Sequence, residues 1–311
     1  MFKAIMRLRL RRMMGYVVGV GCVLCALFVV VPYVTTGTTS EVSLGSSAGS
    51  IKFSRGARGN DTLTVMTVNV AHGRGTSLHQ ALQDADAIRI NLNKVADVFV
   101  HHDPDVIALQ EADGPSVWSG DFNHVDYLGD RSGCFYRFRG EHVKGWKTSY
   151  GAALLSKRRL HDLNSVTFAP SPPTLAKGFV VGVLDWPGNP STRIAVVSVH
   201  LDFLRPSVRK TQVEEMMKAL LLKKHPMILM GDFNCAWTGG ETSLRMLADA
   251  LGLRAYEPTA ENMATFGNSG KRLDWILISE ELQFVSYQTI PVTVSDHRPV
   301  VASIQLRGTT Q

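Results

Sequence analysis

Cysteine is scarce in this chain: four in 311 residues. Cys22 and Cys25 fall in an apolar N-terminal stretch, which leaves Cys134 and Cys235. Two cysteines do not make a disulfide framework, and no His/Cys grouping has zinc-site spacing. Cys235 reads as an unpaired, buried thiol. Repeats at solenoid or propeller periods are absent, which excludes those folds. No residue class dominates, which excludes a fibrous or disordered chain. A basic excess is missing from most of the sequence as well. The net charge of +6 comes from 33 Lys and Arg against 27 acids, and five of the basic residues (Lys3, Arg7, Arg9, Arg11, Arg12) lie before residue 13. Beyond them the chain is nearly neutral. Its high pI is therefore no nucleic-acid signature, and a non-specific nuclease with a strongly basic groove is disfavoured.

Acids are absent from residues 1–34, and Gly15–Val34 carries no charge at all. Twenty such residues suffice for a helix of about 30 Å, the thickness of a bilayer core. The basic residues before it predict a cytoplasmic N-terminus and a chain that continues outside the cytoplasm. The length favours an uncleaved anchor over a secretory signal, whose apolar core runs to about 7–15 residues. If the segment is cleaved, the protein is exported. Thr35–Ser50 is mostly Ser, Thr and Gly, and residues 35–62 are expected to form a flexible linker.

From residue 63 to 306 strand patterns alternate with helical ones. Leu63–Val70, Asp105–Gln110, Ala152–Leu155, Phe179–Leu184, Ile194–Val199, Met227–Met230, Ile276–Ile278, Phe284–Tyr287 and Val300–Ile304 read as strands. Arg89–Val100, Val208–Leu222 and Glu241–Leu251 have helical spacing. Ile290–Val294 reads as a further buried strand. Some strands are joined by helices and others by short turns, which predicts mixed sheets packed in layers.

The informative residues are polar groups that end these apolar runs: Asn69, Glu111, His200, Asp232, Asn234, Asp274, Asp296 and His297. One such residue is an ordinary solvated strand end. Eight in order, each in its own short motif, point to a site built on rigid elements. The motifs are Thr67-Val68-Asn69-Val70, Leu109-Gln110-Glu111, Gly151 to Ser156, Ser198-Val199-His200-Leu201, Gly231-Asp232-Phe233-Asn234, Arg272 to Ile276 and Ser295-Asp296-His297-Arg298-Pro299.

In these stretches the chain resembles the endonuclease/exonuclease/phosphatase superfamily. That group includes deoxyribonucleases, abasic-site endonucleases, inositol polyphosphate 5-phosphatases and neutral sphingomyelinases. The resemblance covers residues 63–306 and implies a four-layered α/β sandwich with two packed mixed sheets. It implies a hydrolase of phosphoester bonds that needs Mg²⁺ or Mn²⁺. Hard oxygen ligands suit those ions, and the family pattern makes Glu111 the principal ligand, with Asn69 and Asp296 near it. A bound cation neutralises the phosphate and activates water. His297, oriented by Asp274, can take a proton from that water, and Asp232 is the other candidate base. Asn234 and His200 can donate to the developing negative charge. The expected substrate is a nucleic acid or a phospholipid headgroup. An inactive binding module on the same fold is the alternative from another class.

Ala152 stands where many relatives carry Asn or Val, and it reads as a packing position. Some relatives pair an acid with the residue matching His200; Glu141 is a candidate for that role. Asp202 could face the cleft. His72, in the loop Ala71 to Gly75, reads as ordinary, and His101 and His102 close a helix, where cations are favoured. Trp118, Phe122, Tyr127 and Trp146 could stack on a base or enter lipid, or simply hold their loops down.

Overall fold

The computed structural model describes residues 40–44 and 61–308, apart from 81, 82, 146, 223 and 268. The chain divides at Thr35/Thr36 into two units, and every described residue belongs to the second. The predicted anchor at residues 1–34 lies outside the described residues. Among the described residues no helix is long and apolar enough to cross a membrane.

Two mixed sheets carry the fold. The first contains β1 (Ser40–Leu44), β2 (Thr62–Asn69), β3 (Val106–Asp113), β4 (Tyr136–Gly140), β5 (Val143–Lys144), β6 (Ser149–Ser156), β13 (Leu282–Thr289) and β14 (Val300–Leu306). Its order is β1-β4-β6-β3-β2-β14-β13, with β5 beside β6, and only β2 and β3 run parallel. The second contains β7 (His161–Thr167), β8 (Gly178–Trp186), β9 (Asn189–His200), β10 (Met227–Asp232), β11 (Leu253–Ala255) and β12 (Asp274–Ser279). Its order is β11-β12-β10-β9-β8-β7, and only β9 and β10 run parallel. Each sheet therefore has a central parallel pair linked through a helix, flanked by antiparallel strands.

Alternation along the strands builds three apolar layers. Leu63, Val65, Val106 and Ala108 of the first sheet pack against Val196, Ile228, Met230 and Ile276 of the second. The opposite face of the first sheet, with Met66, Val68 and Ile107, is covered by α1 (Ala85–His102) and α2 (His124–Ser132) through Ile88, Leu92, Phe99 and Leu128. The opposite face of the second, with Val197, Leu229 and Leu277, is covered by α3 (Pro206–Leu220) and α4 (Ser243–Leu251) through Val213, Met216 and Leu247. This is the expected sandwich with helices on both outer faces.

Three expectations differ from the structure. The Ser/Thr/Gly-rich stretch contributes an edge strand, Ser40–Leu44, antiparallel to β4. Ile290–Val294 is not a strand: Pro291 has no N–H to donate, and the Val292 N–H turns back to the Ile290 carbonyl at 2.8 Å. Between Gln110 and Ala152, where the sequence marks no helix or strand, the structure has α2, β4 and β5. The Asn123 side chain caps α2 by accepting from the N–H groups of Val125 and Asp126. His101 and His102 do end α1, where Asp103 adopts a left-handed conformation. Cys134 and Cys235 are buried and unpaired.

Gly231 sets the approach of β10 to β9. Its φ is +150°, and a Cβ there would lie 2.0 Å from the Val199 carbonyl oxygen. Gly231→Ala is expected to cost about 3 kcal/mol or more through strain and a displaced strand. Urea denaturation of the two proteins measures that loss, and equal midpoints would show that β10 can shift freely.

Candidate active site

The site is the polar end of the core between the sheets. Alternation that places Leu63 and Val65 inward continues to Thr67 and Asn69. In the same way Val106 and Ala108 lead to Gln110, Ile194 and Val196 to Ser198 and His200, and Ile228 and Met230 to Asp232. On the second sheet Asp232 lies directly opposite His200 on one side and Asp274 on the other. Just beneath the site, Gln110 Nε2 donates to Ser198 Oγ at 3.0 Å, joining the sheets through a buried polar contact.

Asp232, with 1% exposure, sits at the centre. Its Oδ2 accepts from Asn69 Nδ2 at 3.1 Å and its Oδ1 from the Asn234 backbone N–H at 2.9 Å. His200 Nε2 lies 3.4 Å away and His297 Nε2 3.7 Å. Asn69 is fixed in turn, because its Oδ1 accepts the Ala71 N–H at 2.9 Å. Asn234, at φ 52°, anchors one amide hydrogen on the Leu201 carbonyl at 3.1 Å. Burial raises the Asp232 carboxyl well above the usual range, His297 opposes that rise and Asp274 adds to it.

His297 arrives on a loop rather than a strand. Ser295 Oγ holds that loop to the end of β2 by donating to the Asn69 carbonyl at 2.7 Å, and it accepts the His297 N–H at 2.9 Å. The ring is aimed by a 2.8 Å hydrogen bond from Nδ1 to Asp274 Oδ2. Burial works against a charge on His297, but the carboxylates of Asp274 and Asp232 outweigh it and push the pKa up to about 10.

Glu111 reaches the cleft through a bulge. The register with β6 slips between Leu109 and Ala112, and Glu111 takes φ 51°. Without that bulge, alternation would send it toward the helices with Ile107 and Leu109. Instead its carboxylate lies 3.3 Å from His72 Nε2, 3.7 Å from Lys177 Nζ and 3.9 Å from His200 Nε2. Burial opposes its charge, yet His72, Lys177, His200 and His297 hold the carboxyl far below its ordinary value. Burial and the Lys177 ammonium, 3.2 Å from both ring nitrogens, push His200 well down, so its ring is neutral.

Asp296 stands apart from this group in its contacts: Arg74 Nη2 holds its Oδ2 at 2.5 Å. Asp202 does not face the cleft; it caps the next turn, accepting from the Leu204 and Arg205 N–H groups at 2.9 and 2.7 Å. Glu141 is not the partner of His200; it pairs with Lys144 at 2.9 Å and accepts from Ser149 at 2.6 Å. Asp232 and Glu111 take that place. Phe122 and Tyr127 pack on Arg89 of α1, so they hold a loop down, and Trp146 lies outside the described residues. Trp118 is different, with its ring 5.5 Å from that of His72.

Sequence reasoning missed His72, Asp113, Lys177, Tyr150 and Arg74. His72 and Arg74 lie within five residues of Asn69, which was the available signal. Lys177 comes from the turn before β8 and Tyr150 from inside β6, and no local pattern marks either.

Oxygen donors at this site fit a hard divalent cation. Asp274 Oδ1 and Asp296 Oδ1 are buried acceptors with no donor, and Glu111 is partly open to solvent. Asp232, Asp274 and His297 offer ligand atoms within 4.8 Å of one another. The His297–Asp274 hydrogen bond, however, already occupies an atom on each of those two residues. That geometry suits proton handling better than metal ligation.

The family model for the Endonuclease/Exonuclease/phosphatase family matches residues 66–297. The chain belongs to this family. Its members are hydrolases of phosphoester bonds, nucleases and phosphatases among them, and are generally divalent-metal dependent. No curated protein matches the sequence. Among solved structures, a family protein from Leptotrichia buccalis is 23% identical, with a TM-score of 0.60, over 78% of this chain and 100% of its own. The mannosyl-6-phosphatase of Bacteroides thetaiotaomicron is 17% identical, TM-score 0.60, over 78% and 99%. The human Nocturnin catalytic domain, solved with a sulfate anion, is 18% identical, TM-score 0.54, over 79% and 94%. At these identities the likeness speaks for the fold.

Because its folded pKa is raised, His297 adds stability that is complete below the unfolded value of 6.5 and is lost as pH rises through about 10. Nitrogen-15 NMR of the metal-free protein is expected to find His297 doubly protonated at pH 8 and His200 neutral. Asp274→Asn should lower the His297 midpoint, and a wild-type midpoint near 6.5 would refute this reading of the charges.

Proposed function

We propose that this chain is a Mg²⁺- or Mn²⁺-dependent hydrolase of phosphoester bonds, acting on a phosphate monoester or diester outside the cytoplasm. The observation that carries this is the buried constellation around Asp232. Asn69, the Asn234 N–H, His200 and His297 surround one carboxylate, and Asp274 aims the histidine.

Each side chain has a task in this reading. Glu111, with Asn69 and Asp296, would hold the cation, which supplies neutralisation of the phosphate and of the departing oxygen. Asp232, its pKa raised by burial, accepts a proton from the attacking water as the new P–O bond forms. The bond to the leaving oxygen breaks, and that oxygen takes a proton from solvent. His297, kept charged by Asp274, stabilises the negative charge that builds on the phosphate oxygens. Lys177 and the free amide hydrogen of Asn234 are placed for the same purpose.

The near-neutral chain beyond residue 12 supports a compact phosphate-bearing substrate over long, unspecific nucleic acid. The substrate classes in view are nucleic acid, a phospholipid or sphingomyelin headgroup, and a phosphorylated sugar of the kind named for the Bacteroides relative. The uncharged stretch Gly15–Val34 supports a membrane anchor, or export if it is cleaved.

The test is a hydrolysis panel on the full chain with Mg²⁺, Mn²⁺, Ca²⁺ and EDTA. It spans DNA, RNA, sphingomyelin, phosphatidylcholine, inositol phosphates and sugar phosphates. Metal-dependent cleavage of one class is expected, and Glu111→Ala and His297→Ala should each lower turnover on the order of 10³-fold while the protein remains folded. Full turnover in both variants would sink the assignment. For topology, protease added to intact cells is expected to digest residues 63–306 and spare the first residues; a protected domain would overturn the external placement.

A further inference from the structure

His72 lies half-buried beside Glu111 and has no task in the reaction as described. Its surroundings are specific. Nδ1 lies 2.7 Å from Asp113 Oδ1, and Nε2 lies 3.3 Å from Glu111 Oε2. Asp113 is fully buried. The ring packs edge-on against Tyr150 at 4.6 Å and beside Trp118 at 5.5 Å. Even the backbone is clamped: Gln80 Nε2 donates to the His72 carbonyl at 3.0 Å and to the Trp118 carbonyl at 2.7 Å.

Three residues here adopt left-handed backbone: Ala71 at φ 48°, His72 at 55° and Glu111 at 51°. None is glycine. Such conformations persist only where the surroundings over-determine them, and they gather at functional sites. The strain on both sides is what brings the two side chains together. The turn Ala71–Gly73 swings His72 over the end of β3, and the bulge in β3 swings Glu111 out to meet it.

We propose that His72 and Asp113 form a positioning pair that holds Glu111 in the orientation needed to ligate the catalytic cation. Asp113 fixes the plane of the ring through Nδ1. Nε2 then faces one oxygen of Glu111, leaving the other toward Lys177 and the cleft. Hydrogen-bonded partners of this kind behind a ligating carboxylate typically change metal affinity by about 10- to 100-fold. The inference rests on Glu111 being a cation ligand.

The experiment is calorimetric titration of the metal-free full chain with Mn²⁺, for wild type, His72→Ala, His72→Gln, Asp113→Asn and Glu111→Ala. Melting temperature and kinetics over a range of Mn²⁺ are measured alongside. His72→Ala is expected to bind Mn²⁺ about 10- to 100-fold more weakly. Its kcat should recover toward wild type at saturating Mn²⁺, which a merely structural defect would not do. Asp113→Asn should weaken binding in the same direction. His72→Gln, which keeps a donor toward Glu111, should lie closer to wild type. If Glu111→Ala loses binding while His72→Ala and Asp113→Asn match wild type, the positioning role is overturned and the site reading survives. If Glu111→Ala itself binds Mn²⁺ normally, both fall together.

Discussion

One hydrogen bond carries more of this architecture than any other: Asn69 on the first sheet donates to Asp232 on the second at 3.1 Å. A carboxylate as buried as Asp232 is expensive unless donors surround it. The donors come from both sheets and from the loops that follow them, so the charge is tolerated only where the sheets meet in this register. Gly231 permits the necessary closeness of β10 to β9. Gln110 and Ser198 repeat the cross-sheet contact just beneath. The packing of two apolar faces thus fixes the geometry of a polar cluster at one end of the sandwich.

The cluster has two sides. On one, Asp274, His297 and Asp232 form the group proposed to handle protons, with the ring of His297 locked by its 2.8 Å bond to Asp274. On the other, Glu111 faces His72, Lys177 and His200 from a strained bulge. Asp232 and Asn69 connect them. Low local dielectric strengthens every one of these interactions and makes each orphaned oxygen costly. Asp274 Oδ1 and Asp296 Oδ1 are two such oxygens, buried without a hydrogen-bond donor.

Much of this could be read from the sequence, for a physical reason. Period-two alternation places Asn69, His200, Asp232 and Asp274 on the same inward faces as the apolar residues of their strands, so a polar residue at the end of such a run declares itself. Glu111 breaks that rule, and only its resemblance to family motifs identified it; the bulge that re-aims it has no local signature. His72 was dismissed because a loop histidine flanked by glycine looks unremarkable until the turn is seen to fold over β3. Lys177 reaches the site from the segment before β8 and Tyr150 from β6, and long-range placement leaves no mark nearby. Ile290–Val294 misled because its apolar content suggests a strand, while Pro291 prevents one. The strand β7 was missed because it lies at a sheet edge, with few apolar residues along its length.

Glu111 is proposed to hold the cation and the Asp232–Asp274–His297 group to handle protons. Anomalous diffraction from crystals soaked in Mn²⁺ tests this directly. The expected peak lies against the Glu111 carboxylate, with the His297–Asp274 hydrogen bond intact. A peak bound by Asp274 and His297, with that bond broken, would contradict the account.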